Sequence, residues 1–214
     1  MGIINHIIVT MGRFKDKDLR DKYYKISRKY LAPSLLSQTN KNYIYCLLTY
    51  PEDIPVFEKE VGIKGMYFDN RQKFDDYVRQ IGAEIQTRHD IDDWMAPNYI
   101  EEIQKVYWEN KDKYKQFLIQ VSHPIRLEDS NGKEFKMDAY SAERNSMFLS
   151  ICNSGKHISI LEKNHGQMYQ VVDGVIDLPP GLTKWVRHPY AATELRKYGG
   201  NLTDAKIIEK NNGS

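Results

Sequence analysis

Cysteine is scarce in this chain: Cys46 and Cys152 are the only two among 214 residues. Each stands in apolar company, Tyr45-Cys46-Leu47-Leu48 and Ile151-Cys152-Asn153, and they form no Cys-x-x-Cys pair. That argues against a bridging or catalytic thiol and reads both as reduced core residues. Long hydrophobic runs are missing too. The stretch Ile3–Val9 is broken by Asn5 and His6 and is far short of a membrane span. Charge of one sign does not dominate, since 31 basic residues against 29 acidic ones leave +2. This balance argues against a nucleic-acid binder working through bulk charge. Neither Gly12 nor the pair Gly62/Gly65 belongs to a Gly-x-Gly-x-x-Gly or Walker loop, and Ser34, Ser37 and Ser150 lack a nucleophile-elbow context. No basic-then-apolar leader follows Met1, so a cytoplasmic location is expected.

What is present is the composition of a globular chain, with 41% hydrophobic and 28% charged residues and 15 tyrosines. There is no internal repeat and no clear linker. One domain over 1–214 is therefore expected, whole or as a piece of something longer. Ile3–Thr10 and Tyr43–Thr49 are β-branched or aromatic runs that read as buried strands. Leu19, Tyr23, Ile26 and Tyr30 recur at helical spacing, and Pro33 predicts a kink or restart. Phe74, Tyr77, Val78 and Ile81 form a second helical stripe, Ala83–Thr87 a short strand, and Tyr99, Ile103 and Tyr107 the inner face of a third helix. Strands alternating with helices over the first ~110 residues predict an α/β fold with a central, mostly parallel sheet flanked by helices. The second half reads as richer in strands: Phe117–Val121, a hairpin of 125–128 with 134–137 around Ser130-Asn131-Gly132, Met147–Cys152 and Met168–Val172. The basic residues Arg20, Lys22, Lys25, Arg28 and Lys29 are expected on a solvated helix face.

The segment Thr87-Arg88-His89-Asp90-Ile91-Asp92-Asp93 carries the most chemistry. In an extended chain alternate residues share a side, so Asp90 and Asp92 converge while Ile91 turns back to the core. Two carboxylates so placed suit Mg²⁺ or Mn²⁺, which take oxygen ligands and keep positions open for phosphates. Arg88 is suited to hold a carboxylate or meet a phosphate. The cluster falls beyond the carboxyl end of a strand, where ligands bind in parallel α/β sheets. The plainer alternative is a solvated acidic loop in which Asp92 or Asp93 caps the helix near Pro97.

This segment resembles the Thr-Arg-x-Asp-x-Asp-Asp signature of rhamnosyltransferase-like enzymes and related GT-A glycosyltransferases. Tyr30–Thr39, containing Pro33-Ser34-Leu35 and Gln38-Thr39, resembles a helix end of the same family, and Trp185-Val186-Arg187-His188 resembles its late Trp-x-x-x-His segment. The resemblance implies a GT-A-like domain with a nucleotide-binding half over about 1–110 and an acceptor half over about 111–200. It also implies a UDP-sugar donor, and as acceptor a glycan or glycoprotein such as a viral capsid glycan, with no membrane span. On that resemblance Asp92 is the main ligand of Mn²⁺ or Mg²⁺, and Asp90 meets the ribose, the metal or both. His188 completes the metal shell, with His165 as a second candidate. Thr10 through Arg13 lie along the uridine, Thr87 and Arg88 line the donor, and Arg187 meets the diphosphate. The family's usual extra acidic residue is replaced here by Ile91. Among possible bases, Asp138, Glu143 and Glu162 are not ranked by sequence. A metal-dependent phosphoesterase or nucleotidyltransferase would use the same aspartates, and a non-catalytic carbohydrate- or capsid-binding module would use them only structurally.

Overall fold

The computed structural model describes residues 4–121, 126–129, 134–137, 148–153, 158–163, 165–179, 181–187 and 207–209. The chain begins with β1 (His6–Met11), α1 (Lys17–Lys29), α2 (Leu31–Leu36), β2 (Ile44–Leu48), α3 (Ile54–Val61), β3 (Met66–Phe68), α4 (Arg71–Gln80) and β4 (Ile85–Arg88). It continues through β5 (Trp94–Met95), α5 (Tyr99–Asn110), β6 (Gln116–Val121), β7 (Arg126–Asp129), β8 (Glu134–Met137) and β9 (Leu149–Asn153). After a 3₁₀ segment, His165–Val171, come β10 (Gly174–Leu178), β11 (Thr183–Arg187) and β12 (Ile207–Glu209).

Local chemistry sets these boundaries. The Asp16 carboxylate accepts from Asp18 N and Leu19 N and starts α1, while Arg28 and Lys29 sit in its last turn, where the helix dipole favours cations. Pro33 falls within the first turn of α2, where a missing amide costs no helical hydrogen bond. Gly62, at φ 81°, ends α3 in a conformation that side chains disfavour.

The larger sheet has strand order β10-β6-β9-β4-β1-β2-β3. Its neighbours run parallel except at β9, which is antiparallel to both β4 and β6. One apolar layer packs Ile8, Leu47, Ile85, Phe117 and Ile119 beneath α1, α2, α3 and α5. On the other face Val9, Cys46, Leu118 and Ile151 meet Phe74 and Val78 of α4 and Met168 of the 3₁₀ segment. Both cysteines are free and fully buried, as their settings implied. A second sheet, β12-β8-β7-β11-β5, contains the expected hairpin as the antiparallel pair β7/β8.

Two expectations are corrected. Met168–Val172 is not a strand: it lies largely within the 3₁₀ segment, where Met168 is fully buried, and the strand parallel to β6 is the later Gly174–Leu178. A five-residue, mostly apolar stretch is too short for its period to separate the two forms. Arg20 is not on a solvated face. It is buried, and its guanidinium pairs with the buried Asp53 and with Asp21. Lys22, Lys25, Arg28 and Lys29 are exposed as expected.

Candidate functional site

The sheet order puts a switch point between β1 and β4. From β1 the chain steps outward through β2 to β3, then returns to pair β4 on the opposite side of β1. A crevice forms beyond the carboxyl ends of strands whose connections leave in opposite directions. Here it lies between the segment after Met11 and the acidic turn after Arg88.

Burial alternates strictly along that turn. Arg88, Asp90, Asp92 and Trp94 are half-exposed, whereas His89, Ile91, Asp93 and Met95 are buried. The two aspartates expected to act together thus lie on the outer side, with Ile91 in the core between them. The backbone is fixed from several directions. His89 N donates to Val9 O at 3.0 Å, and Asp93 N donates to Asp90 O at 3.3 Å. The Ser27 hydroxyl of α1 lies 2.8 Å from Ile91 O. Asp93 Oδ1 accepts from Val186 N of β11 at 2.9 Å. A Cβ on Gly12 would stand 3.3 Å from Ile91 Cδ1, so the absent side chain lets the β1 loop lie against the turn.

Arg88 Nε is 3.6 Å from Asp90 Oδ1. That is an ion pair without a hydrogen bond, and this buried nitrogen has no hydrogen-bond partner among the described residues. His89 is wholly buried edge-on to Phe148, ring centroids 5.9 Å apart, and burial lowers its pKa to about 4. At the same end of the sheet the Arg13 guanidinium stacks over the Tyr50 ring at 4.6 Å. Asp69, just past β3, is held below the usual carboxylate range by its bond from Lys73, with Arg13 adding a smaller field.

The segment after the turn is stitched to the end of α2. Ser34 Oγ accepts from Met95 N at 3.1 Å. The Gln38 amide donates to Ala96 O at 2.8 Å and accepts from Ile100 N at 3.1 Å. This gives Ser34 and Gln38 of the Pro33–Thr39 stretch a physical role as the support under the exit from the acidic turn. Helix α5 starts behind Asn98 with no side-chain cap, so Asp93 is not its cap.

Thr10 and Thr87 are fully buried and offer no hydroxyl to solvent. Thr87 Oγ1 instead lies 2.7 Å from His6 Nε2 and 2.7 Å from Ser150 Oγ. Arg13, Arg88, Asp90 and Asp92 all fall at the carboxyl ends of β1 and β4. Arg187 closes β11, its backbone in register with Asp129 of β7. His188, Asp138 and Glu143 lie outside the described residues, His165 opens the 3₁₀ segment, and Glu162 is exposed in a turn. Among the described residues no group of three or more His, Cys, Asp or Glu is gathered as a metal site, and no helix is long and apolar enough to cross a membrane. Sequence reasoning missed Gly12, Ser27 and the Asp93–Val186 bond. Only the Gly12 break after β1 carried a local signal.

No family model and no curated protein matches the sequence. Solved structures match in shape. A cytidylyltransferase from Leptospira borgpetersenii serovar Hardjo-bovis aligns with a TM-score of 0.50 at 10% identity, over 82% of this chain and 76% of that one. The shared feature is the fold. S. aureus TarS 1–349 in complex with UDP-GlcNAc aligns with a TM-score of 0.48 at 9% identity, covering 86% of this chain and 59% of that one. This chain therefore spans about three-fifths of that structure. A CMP:2-keto-3-deoxy-manno-octonic acid synthetase complexed with CTP aligns with a TM-score of 0.43 at 12% identity, over 82% of this chain and 90% of that one.

Proposed function

We propose that the chain is a metal-dependent glycosyltransferase moving rhamnose or another hexose from a UDP-sugar to a glycan or glycoprotein acceptor. The observation that carries this reading is the pinned turn at the switch point, which holds Asp90 and Asp92 on one side above a buried Ile91. Two half-buried carboxylates are a fitting donor set for Mn²⁺ or Mg²⁺, since such ions keep several positions for water and phosphate oxygens. Asp92 and Asp90 would hold the ion, with His188 as a third ligand. When bound, a divalent ion offsets the negative charge that grows on a departing diphosphate.

The remaining work falls to the chain's own groups. Arg88 Nε, buried and without a hydrogen bond, is a donor ready for a phosphate oxygen. The stacked Arg13 and Tyr50, with Asp69 nearby, would flank the uridine and orient it. Arg187 would meet the diphosphate from β11. Thr10 and Thr87, being buried, would serve by fixing the strands beneath the donor.

The decisive test is thermal stabilisation by UDP with and without Mn²⁺, in the parent chain and in Asp92→Ala. The reading expects a Mn²⁺-dependent rise for the parent that Asp92→Ala loses, together with UDP release from a member of a UDP-sugar panel. Equal Mn²⁺-linked UDP stabilisation in Asp92→Ala would refute the metal assignment. A nucleotidyltransferase on the same fold would instead release pyrophosphate from a nucleoside triphosphate, and a phosphoesterase would liberate inorganic phosphate or a nucleoside monophosphate.

A further inference from the structure

We propose that a cavity at the amino end of the central strands binds a neutral saccharide, at a site separate from the crevice at Asp90 and Asp92. The cavity has a volume of about 590 Å³, within the ~300–1,000 Å³ usual for small-molecule sites. It lies between Glu84, just before β4, the last turn of α5 and the loop 111–115 that leads into β6. β4 runs from there to the acidic turn, so the two places stand a strand apart, roughly 13 Å from Glu84 to Arg88 at about 3.3 Å per residue. The inference rests on neither the metal nor the transferase reading, and neither falls with it.

The walls are aromatic and already fixed. Tyr107 stacks on Phe117 with ring centroids 6.3 Å apart and meets Trp108 edge-on at 5.8 Å. Tyr114 leans on Phe117 at 5.7 Å. A Cβ on Gly174 would stand 2.6 Å from Tyr114 Cε1, so the bare backbone at the start of β10 makes room for that ring. The Tyr107 hydroxyl donates to Glu84 Oε1 at 3.2 Å, and Asn5 N donates to Glu84 Oε2 at 3.2 Å. Burial, then the charge of Glu84, pushes the Tyr107 phenol up, which keeps its proton on that bond. A frame ordered in advance leaves little entropy to be lost on binding.

The charges around this frame select the ligand. Lys111, Lys113 and Lys115 share the lining with two carboxylates, Glu84 and Asp112. Lys111 Nζ lies 3.0 Å from Asp112 Oδ1 and 5.4 Å from the centre of the Trp108 ring. A cation would meet three ammonium groups. An anion would meet both carboxylates and the last carbonyls of α5, the negative end of the helix dipole. An apolar molecule would strip water from charged side chains of both signs. A sugar hydroxyl both donates and accepts, so a neutral polyol is satisfied by ammonium and carboxylate groups together. Its C–H faces suit the rings of Trp108 and Tyr114, which are half-buried and line the same cavity.

The experiment uses the full chain without metal or nucleotide. Backbone amide shifts are followed by NMR while neutral oligosaccharides of glucose and of rhamnose are titrated in, with glucuronate and inorganic phosphate as charged probes. At least one neutral oligosaccharide is expected to move signals over 107–115 and at Glu84 while leaving 88–93 unmoved. Trp108→Leu keeps an apolar side chain and removes the ring, and should weaken that binding roughly tenfold. Should Trp108→Leu fail to fold, Lys113→Ala still decides, since Lys113 is exposed and its loss removes one donor. That variant is expected to bind roughly threefold or more weakly. Neutral oligosaccharides that leave 107–115 unmoved would overturn the proposal, as would glucuronate or phosphate moving those signals in their place. Parent-like affinity in both variants would overturn it too.

Discussion

Lowering the pH from 7.5 to 5 should remove about 2 kcal/mol of stability through His6 alone. The imidazole is fully buried in β1. Gln104 Nε2 approaches its Nδ1 at 3.3 Å and also donates to Asn42 O at 2.8 Å, while Gln104 Oε1 accepts from Asn40 Nδ2 at 2.9 Å. Those two further bonds fix the orientation of the amide, so Nδ1 faces a donor and must accept. The ring proton therefore rides on Nε2, donated to Thr87 Oγ1 at 2.7 Å, and Thr87 can pass its own to Ser150 Oγ. An imidazolium would set a second N–H against the Gln104 donor in a dry site. Burial accordingly pushes the His6 pKa from 6.5 down to about 3.

The sign follows from where the proton goes. Below pH 6.5 the unfolded chain takes up a proton at His6 that the folded chain refuses until about pH 3. Stability is complete above 6.5 and falls as the pH drops toward the folded value, at about 1.4 kcal/mol per pH unit. The one and a half units between 6.5 and 5 give the figure of about 2 kcal/mol. Urea unfolding at pH 7.5, 6.5, 5.5 and 5 should be run on the parent and on His6→Gln, which cannot titrate. His89, lowered to about 4 by burial, acts with the same sign but is present in both chains and cancels in the difference. The parent should lose about 2 kcal/mol more than His6→Gln over this range. Parallel curves would refute the neutral, buried assignment of His6.

Gly12→Ala would set a Cβ 2.9 Å from Leu47 Cδ1 and 3.3 Å from Ile91 Cδ1 in a packed layer. A loss of roughly 1–3 kcal/mol in urea unfolding is expected, with weaker Mn²⁺-linked UDP stabilisation because Ile91 carries the turn. An unchanged midpoint would mean that Leu47 swings aside freely. Gln38→Ala would strip Ile100 N of its acceptor and take from Ala96 O one of its two donors, the other being Tyr99 N, for about 1–3 kcal/mol. In a chain of this length that should lower the melting temperature by roughly 2–4 °C per kcal/mol. A melting temperature equal to the parent's would mean that water replaces the amide.

The features legible in the sequence were those whose signal is local. The apolar runs of β1, β2, β4 and β6, and the stripes of α1, α4 and α5, follow from periods of two and 3.6 residues that the core enforces. The inward Ile91 between half-exposed Asp90 and Asp92 could be read for the same reason. Other elements were hidden by their length or by context. Helix α3 is announced by Pro55, which sits in its first turn where proline is accommodated, but a proline after an apolar run does not by itself say which element it opens. β3 has three residues, too few to show a period. Arg20 looks like its exposed neighbours because its partner Asp53 lies 33 positions away, and burial is decided by that pairing.

The pinned turn also argues against the plainer reading of the acidic residues as a solvated loop. A loop that served only to carry charge into water would gain nothing from ordering its backbone, and each residue fixed costs about 1–2 kcal/mol of conformational entropy. Here Ile91 is driven into the core under Gly12, its carbonyl is met by Ser27, and Asp93 is spent on Val186. The contacts come from the β1 loop, α1 and β11, so the whole fold contributes to holding four residues. That arrangement leaves Asp90 and Asp92 half-exposed on either side of a buried Ile91. On the proposed reading, a turn ordered in advance would leave little entropy to be lost on binding a cation.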